Sequence, residues 1–205
     1  MEITTPYINT KLYSEIGLRP DQMENEIYIH LKHNLIKKLE GKCYLDYGYI
    51  EKIYSITDHD SGIISGENLH GFAKFKIGFT LRLCRPLKST FIICKVTSVN
   101  KKLVKLEDGP ILAYSPSSRY NSDIFFTDNN NVLRYKTKNT SQILNPGSFI
   151  VLYIESVLFS NMDRKIVVIG KIHDIASDKQ IKKYYDDTNK DENDNIVDIK
   201  EYLEF

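Results

Sequence analysis

Residues 89–114 read STFIICKVTSVNKKLVKLEDGPILAY, a stretch in which turn residues divide three apolar segments. The turn residues are Asn100 and the pair Asp108 and Gly109. Short apolar segments divided in this way are typical of strands joined by tight turns. The stretch therefore predicts three consecutive strands, which span residues 89–99, 101–107 and 111–114.

Two further strands are predicted after a long polar excursion. Residues 115–131 are polar, and a small extra strand is predicted at 132–135 before a second polar loop. Residues 148–159 are apolar on both faces, which predicts a central strand, and residues 165–172 form the last strand. Five principal strands with an excursion between the third and the fourth are typical of the OB-fold, a Greek-key barrel that binds oligonucleotides on one face.

The N-terminal half begins with an extended, Thr-rich stretch that leads into a predicted helix. Pro20 and Asp21 mark the start of this helix, because Asp21 can cap it and Glu24 completes a capping box. The helix is amphipathic, since its apolar residues recur every four positions: Met23, Ile27, Leu31, Leu35 and Leu39.

Alternating apolar residues predict two strands after the helix, at 42–56 and 75–83. The loop between them, 57–71, is rich in Gly and Asp and includes a short strand at Ile63 and Ile64. Helix, strand, loop and strand make a small α+β unit. The predicted fold class is therefore α+β, with an N-terminal α+β unit and a C-terminal OB barrel.

Composition restricts the function classes. The chain has 205 residues, of which 41% are hydrophobic and 27% charged, as in globular proteins of one or two domains. No stretch approaches the roughly 20 apolar residues of a membrane span, and the N-terminus lacks the pattern of a secretory signal. The cysteines, Cys43, Cys84 and Cys94, lie inside strand-like segments, which predicts buried free thiols in a reducing compartment.

Charge is distributed unevenly along the chain. Residues 178–205 carry nine acidic residues and five lysines, a net charge of −4, which leaves +5 on the rest. A mildly basic body fits nucleic-acid contact within a complex better than tight independent binding to DNA. The acidic tail is predicted either to be disordered alone or to dock on a partner through its last apolar residues, Tyr202, Leu203 and Phe205.

Several short motifs follow one another in an order that is known from one protein family. They are EGKC (40–43), YGYI (47–50), Gly62 with Ile63 and Ile64, FAKFKIGFTLRLCRPLKST (72–90), Pro146 with Gly147, and VVIGKI (167–172). Over residues 3–176 this series closely resembles the stalk subunit of multisubunit DNA-directed RNA polymerases. That family comprises the seventh subunit of eukaryotic polymerase II and its archaeal counterpart.

The resemblance implies a non-catalytic subunit without a cofactor. Residues 1–84 would be a truncated RNP-like tip domain that docks on the polymerase core near the clamp. Residues 85–177 would be an OB barrel near the RNA exit path, and residues 178–205 an acidic tail. The implied partners are the large core subunits, a small helical stalk partner and, weakly, nascent RNA, with roles in initiation and transcript handling.

The sequence also departs from the family. The 115–131 loop and the acidic tail are additions, and the third barrel strand, 111–114, lacks the aromatic pair of RNA-binding OB domains. The abundance of Ile, Lys, Asn and Tyr, whose codons are AT-rich, fits a member encoded by a large DNA virus. The expected location is the nucleus or cytoplasm, or the virion or viral factory.

Two groups of residues are candidate contacts. The resemblance assigns core docking to loop and turn residues, which commonly carry binding: Pro20, Asp21, Asp58, Gly62, Ile63, Ile64 and Gly66. RNA binding needs exposed aromatics for stacking and nearby cations for the backbone. These candidates are Lys101, Lys102, Lys105, Tyr114, Arg119, Arg134, Lys136 and Lys138, with Tyr120, Phe125 and Tyr135 beside them. The simpler alternative is that Tyr114 and Phe125 are core residues and the cations a solvated surface.

Metal binding and catalysis are weaker interpretations. His30 and His33 are three apart on the predicted helix, but no third ligand is evident, so a solvated polar face is favoured. Asp58, His59 and Asp60 are interpreted as loop-formers, with a hydrolase built on His59 as the alternative. Phosphate-binding loops, nucleophile elbows and zinc-protease helices are absent from the sequence. A free-standing single-stranded RNA-binding protein remains the main alternative to a polymerase subunit.

Overall fold

A computed structural model describes residues 3–66, 71–100, 102–120, 123–127, 133–136 and 141–188, together with Val197 and Ile199. For Thr127 and Lys136 it describes the backbone alone. The chain is mostly β and divides into two compact units. The barrel unit comprises Met1–Pro6, Arg85–Phe159 and Lys165–Lys190, and the sheet unit comprises Tyr7–Cys84, Ser160–Arg164 and Asp191–Phe205.

The sheet unit is an antiparallel sheet on which a helix packs. Its elements are β1 (Tyr7–Leu18), α1 (Ile27–Leu39), β2 (Lys42–Tyr44), β3 (Gly48–His59), β4 (Ile63–Ile64) and β5 (Ala73–Cys84). The spatial order is β1-β5-β3-β2, and β4 pairs with the start of β5. The predicted apolar stripe of α1 packs on the sheet, because Leu31, Leu35 and Leu39 are buried in one cluster with alternate residues of β5.

Strand β1 was predicted only as an extended stretch. It pairs along its whole length with β5, from Tyr7 opposite Cys84 to Leu18 opposite Ala73. Its buried face alternates regularly, but two of the inward positions are Thr10 and Ser14. These small polar residues interrupt the apolar alternation that identifies a half-buried strand.

The predicted start of the helix was wrong. Helix α1 begins at Ile27, and Pro20–Gln22 form a separate 3₁₀ turn instead. Gln22 closes this turn, since its side-chain oxygen accepts a hydrogen bond from the backbone N–H of Arg19 at 3.2 Å. Asp21 therefore caps no α-helix, although Pro20 does occupy the first position of a helical turn, where its missing N–H is tolerated.

The segment Ser160–Arg164 belongs to the sheet unit and lies along its edge strand β2. The backbone N–H of Cys43 donates to the carbonyl of Asp163 at 2.7 Å, and the N–H of Met162 donates to the carbonyl of Cys43 at 2.8 Å. Asn161 accepts from the N–H of Leu45 at 3.0 Å. This segment therefore satisfies backbone groups that an edge strand otherwise presents to solvent.

The barrel unit contains the predicted β-rich half. Its elements are β6 (Phe91–Val99), β7 (Leu103–Asp108), β8 (Ile111–Pro116), β9 (Phe125–Thr127), β10 (Leu133–Lys136), β11 (Ser141–Ile143), β12 (Phe149–Leu158), β13 (Ile166–Ile175) and α2 (Asp178–Thr188). Five of the strands close a barrel in the order β12-β13-β8-β7-β6. The pairs are antiparallel except for β8 with β13, which run parallel. The five strands match those predicted, and the closed barrel is compatible with an OB-fold.

The excursion between β8 and β12 forms a small sheet of its own, in the order β11-β10-β9. The predicted strand at 132–135 corresponds to β10. Helix α2 was not predicted, because its sequence is polar and only Tyr184 and Thr188 are buried. Its Tyr185 ring meets the Phe149 ring edge-on, with centroids 6.0 Å apart. The tail residues Tyr202, Leu203 and Phe205 lie outside the described residues.

Cys43, Cys84 and Cys94 are buried and lie outside any disulfide, as predicted. Among the helices that the structure describes, none has the length and apolar character that crossing a membrane requires.

Candidate docking surface and nucleic-acid interface

Pro20 and strand β4 lie at the same end of the sheet unit. Leu18, the last residue of β1, pairs with Ala73 on one side of β5, and β4 pairs with Ala73 on the other side. Pro20 follows Leu18 closely, and its Cγ lies 3.4 Å from the position that a Cβ would take at Gly71. The structure thus brings Pro20 and the two residues of β4 to one end of the sheet.

This end of the sheet is exposed and partly apolar. Ile63 is 66% exposed and Ile64 is 60% exposed, and Pro20, Asp21 and Gly66 are exposed as well. Burying two adjacent exposed isoleucines against another molecule would be favourable, because it removes their apolar surface from water. We call the surface formed by Pro20, Ile63 and Ile64 the sheet tip.

The turn before β4 is organised by Asp60. Its Oδ1 accepts hydrogen bonds from the backbone N–H groups of Gly62 and Lys76, both at 3.1 Å. Gly62 has a φ of +75°, and a Cβ there would lie 2.5 Å from the Phe75 ring. Asp60 is therefore the loop-former that the sequence predicts, and Gly62 has a structural reason to be glycine.

Asp58 does not belong to the sheet tip. The predicted loop begins too early, because β3 continues to His59 after a register shift between Ile56 and Asp58. The Asp58 carboxylate lies over Gly78 and accepts a hydrogen bond from Lys11 Nζ at 2.6 Å. Lys11 was not a candidate residue; alternation along β1 would have placed it on the face of the sheet opposite α1.

The Asp58–Lys11 pair shifts both titrations. The hydrogen bond from Lys11 is the largest cause that lowers the pKa of Asp58 from its ordinary value of 3.8. The same hydrogen bond raises the pKa of Lys11 from 10.5. Because the side chains are 51% and 34% exposed, solvent screens the pair, which bridges β3 and β1 across β5.

On the barrel, the structure brings Lys105 and Tyr114 together. They stand directly opposite each other on β7 and β8, and Ile169 of β13 is the next partner of Tyr114. All three are half-buried, whereas their strand neighbours Val104 and Val168 are fully buried. The row Lys105–Tyr114–Ile169 therefore faces away from the barrel interior. It crosses the second and third barrel strands, the face that OB-folds use for oligonucleotides.

Lys102 and Arg119 lie near the end of this row. The carbonyl of Lys102 accepts a hydrogen bond from the N–H of Ser117 at 2.8 Å, which ties the β6–β7 turn to the stretch after β8. Arg119 forms an ion pair with Glu155, which compensates its charge. Among the described residues Lys102 and Lys105 form no ion pair. Of these two lysines, Lys102 is exposed and Lys105 is half-buried.

The remaining nucleic-acid candidates lie in or near the excursion sheet. Phe125 is 3% exposed and its ring lies 6.4 Å from that of Tyr135, so Phe125 is a core residue, as the simpler alternative held. Arg134 lies on β10 between Phe126 and Ile143. Burial raises the pKa of Tyr120 to about 12. Lys101, Lys138 and the side chain of Lys136 lie outside the described residues.

The Nδ1 of His59 lies 2.8 Å from the backbone carbonyl oxygen of Asp60, and its ring meets Phe75 edge-on. These contacts give no support to a hydrolase built on His59. In the described part of the chain no group of three or more His, Cys, Asp or Glu side chains could hold a metal ion. His33 is exposed and His30 is half-buried on α1.

Comparison with known proteins finds relatives along nearly the whole chain. The chain is 29% identical over 197 residues to a protein of Acanthamoeba polyphaga mimivirus provisionally named DNA-directed RNA polymerase subunit L376, covering 96% of this chain and 97% of the relative. It is 28% identical over 152 residues to DNA-directed RNA polymerase II subunit rpb7 of Schizosaccharomyces pombe, covering 73% and 86%. It is 24% identical over 169 residues to RPB7 of Glycine max, covering 82% and 93%. No family model matches the chain.

Proposed function

We infer that this chain, an Rpb7-like subunit of DNA-directed RNA polymerase, is a viral accessory subunit that docks through its sheet unit and holds its barrel near the emerging transcript. Its relatives are named as polymerase subunits, and the chain is an accessory component of such a complex rather than a catalytic one. Two observations together support this inference: the chain has a closed five-stranded barrel, and its similarity to a polymerase subunit spans both units.

The sheet unit is proposed to be the truncated RNP-like tip domain of these subunits. An antiparallel sheet with helix α1 packed on one face supports this assignment. The sheet tip is the proposed contact with the large core subunits, because it combines exposed apolar side chains with a tight, well-ordered turn at Asp60. Asp58 is left out of this contact, since its carboxylate is engaged with Lys11.

The barrel is proposed to contact nascent RNA weakly through Lys102, Lys105 and Tyr114. One aromatic ring with two cations supplies a stacking platform and some attraction to phosphate, which suits a transcript already held by a larger complex. The proposed roles are initiation, clamp position and transcript handling, in the nucleus or cytoplasm, or in a virion or viral factory. A small helical stalk partner is a further proposed neighbour.

The docking proposal is tested by affinity purification of the tagged full chain from its native source at high salt. The wild type should retain two very large subunits and several small ones in equal amounts. The double variant Ile63→Asp with Ile64→Asp should retain at least about tenfold less of these subunits, because the contact would bury two charges. Ile29→Asp, at an α1 residue that is 58% exposed, is the matched control and should retain the complex.

Each outcome of this purification has a distinct meaning. Full retention by the double variant excludes the sheet tip as the docking surface while leaving the family assignment intact. A wild-type chain that purifies alone, or with RNA only, supports the alternative of a free-standing single-stranded RNA-binding protein. The row on β7, β8 and β13 would be the RNA-binding surface of such a protein. This alternative predicts that the isolated chain binds RNA with measurable affinity and strong salt dependence.

A further inference from the structure

Strand β1 forms one edge of the sheet unit and is twelve residues long. An edge strand of this length presents a row of N–H and C=O groups that can pair with a strand of another chain. Proteins prevent such pairing by covering the edge or by placing charge or proline on it. Within Tyr7–Leu18 the strand has two charged residues, Lys11 and Glu15, and no proline.

Val197 lies on this edge and is held by two successive residues of β1. Its backbone N–H donates to the carbonyl of Asn9 at 2.8 Å. Its carbonyl accepts a hydrogen bond from the hydroxyl of Thr10, also at 2.8 Å. Thr10 is only 1% exposed and Asn9 is 9% exposed, although both are polar residues on an edge strand.

Ile199 extends the same contact into the core. It is 6% exposed and belongs to the apolar cluster that contains Leu12 and Ile16 of β1 and Leu35 of α1. The Ile199 side chain is therefore almost completely removed from water, as are the inward-facing leucines of α1. Val197 and Ile199 are therefore held against β1 by two hydrogen bonds and one buried apolar side chain.

We propose that Val197 and Ile199 form a built-in cover for the edge of β1, which closes the sheet unit to strand addition by other chains. A second copy, or any partner that adds a strand at Asn9 and Thr10, must first displace this cover. The proposal is independent of the polymerase assignment, because it depends only on contacts within the sheet unit.

The first test is hydrogen exchange of the Val197 amide in the intact chain, measured by NMR. This amide should exchange at least about tenfold more slowly than in an unstructured peptide, because it is hydrogen-bonded to Asn9. Ile199→Asp and Thr10→Val should remove most of this protection, whereas Ile29→Asp should preserve it. Exchange of Val197 at the unstructured rate in the wild type would overturn the proposal.

The second test uses a labelled synthetic peptide of residues 191–205 as the probe. It should bind full-length Ile199→Asp at least about tenfold more tightly than the wild type, whose site is already occupied. Equal binding to both chains, or binding to neither, would contradict an edge cover. Val197→Pro, which removes the N–H that donates to Asn9 and leaves β1 unchanged, replaces Ile199→Asp if thermal melting shows the latter to be unfolded.

Discussion

Tyr184 of α2 donates its hydroxyl hydrogen to the carboxylate of Asp108, 2.6 Å away, and both side chains are buried. Asp108 ends β7 at the Asp108–Gly109 turn, so this hydrogen bond fastens α2 to one end of the barrel. Removing a donor from a buried carboxylate costs more than removing an ordinary hydrogen bond, because hydrogen bonds to charged groups are the stronger ones.

Tyr184→Phe should therefore lower the free energy of unfolding by about 1.5–3 kcal/mol, measured by urea denaturation. Tyr153→Phe is the matched control in the same unit. Its ring packs against Phe91 at 5.1 Å, and its hydroxyl has no partner among the described residues. Equal losses in the two variants would show that the Tyr184–Asp108 hydrogen bond contributes nothing specific.

Gly170→Ala should be more damaging than its small volume suggests. A Cβ at this position would lie 2.4 Å from the backbone oxygen of Tyr153 and 3.0 Å from the Leu152 side chain, and a backbone atom inside a barrel cannot move away easily. We expect a loss of about 1–3 kcal/mol in the free energy of unfolding. Gly17→Ala, where no atom lies within 4 Å, should be neutral; a comparable loss there would refute the steric explanation.

The Lys11–Asp58 pair predicts a specific dependence of stability on pH. Because the folded-state pKa of Asp58 lies below 3.8, its contribution is present above pH 3.8 and disappears as the pH falls through the folded value. Because the folded-state pKa of Lys11 lies above 10.5, the stabilisation by Lys11 is lost only as the pH rises through that folded value. Thermal melting of wild type and Asp58→Asn should differ at neutral pH and converge in acid.

High salt should also reduce the difference between wild type and Asp58→Asn, since the pair is exposed and screened. A difference that is constant from acid to neutral pH would mean that Asp58 stabilises the sheet without its charge. Thr57→Val removes a second side-chain donor, a hydroxyl that lowers the pKa of Asp58, so it should give a smaller difference of the same sign.

Substitutions on the barrel row should separate stacking from charge. Tyr114→Ala should weaken binding of single-stranded RNA to the intact chain by about 1–3 kcal/mol, roughly fivefold or more. Lys105→Ala should instead reduce the salt dependence of binding by about one phosphate contact. Lys171→Ala, an exposed lysine on β13 outside the row, is the control. Fluorescence anisotropy over a salt series measures both effects, and identical behaviour of all three variants would remove the row from RNA binding.

The barrel was predictable because its local signals agree with its tertiary pairing. Turn residues such as Asp108 and Gly109 stand where the hairpin turns, and Val104 and Leu106 alternate with outward residues. Strand β1 and helix α2 were not predicted, because their local sequence signals do not reflect their tertiary contacts. Thr10, an inward position of β1, bonds to Val197, and Tyr184 bonds to Asp108. Neither contact leaves a periodic trace in the sequence.

The candidate sites were predictable only in part. The short strand at Ile63 and Ile64 was correct, because the flanking glycines bound it clearly. Asp58 was placed in a loop because Asp is common in turns, but the register shift after Ile56 keeps it in β3, where Lys11 and Gly78 hold it. Lys11 and Asp58 are 47 residues apart in sequence. Local sequence patterns cannot predict a contact between residues so far apart.

The edge contacts of the sheet unit also bear on how the protein is made. Segment Ser160–Arg164 covers β2, and Val197 covers β1, yet both are translated long after Cys84 completes the last strand. At about 5–20 residues per second, a ribosome needs on the order of 6–23 s to travel from Cys84 to Ile199. During that interval the nascent sheet has both edges open, so newly synthesised chains on one polysome are the population most exposed to mispairing, and a chaperone that shields strand edges would act in this window.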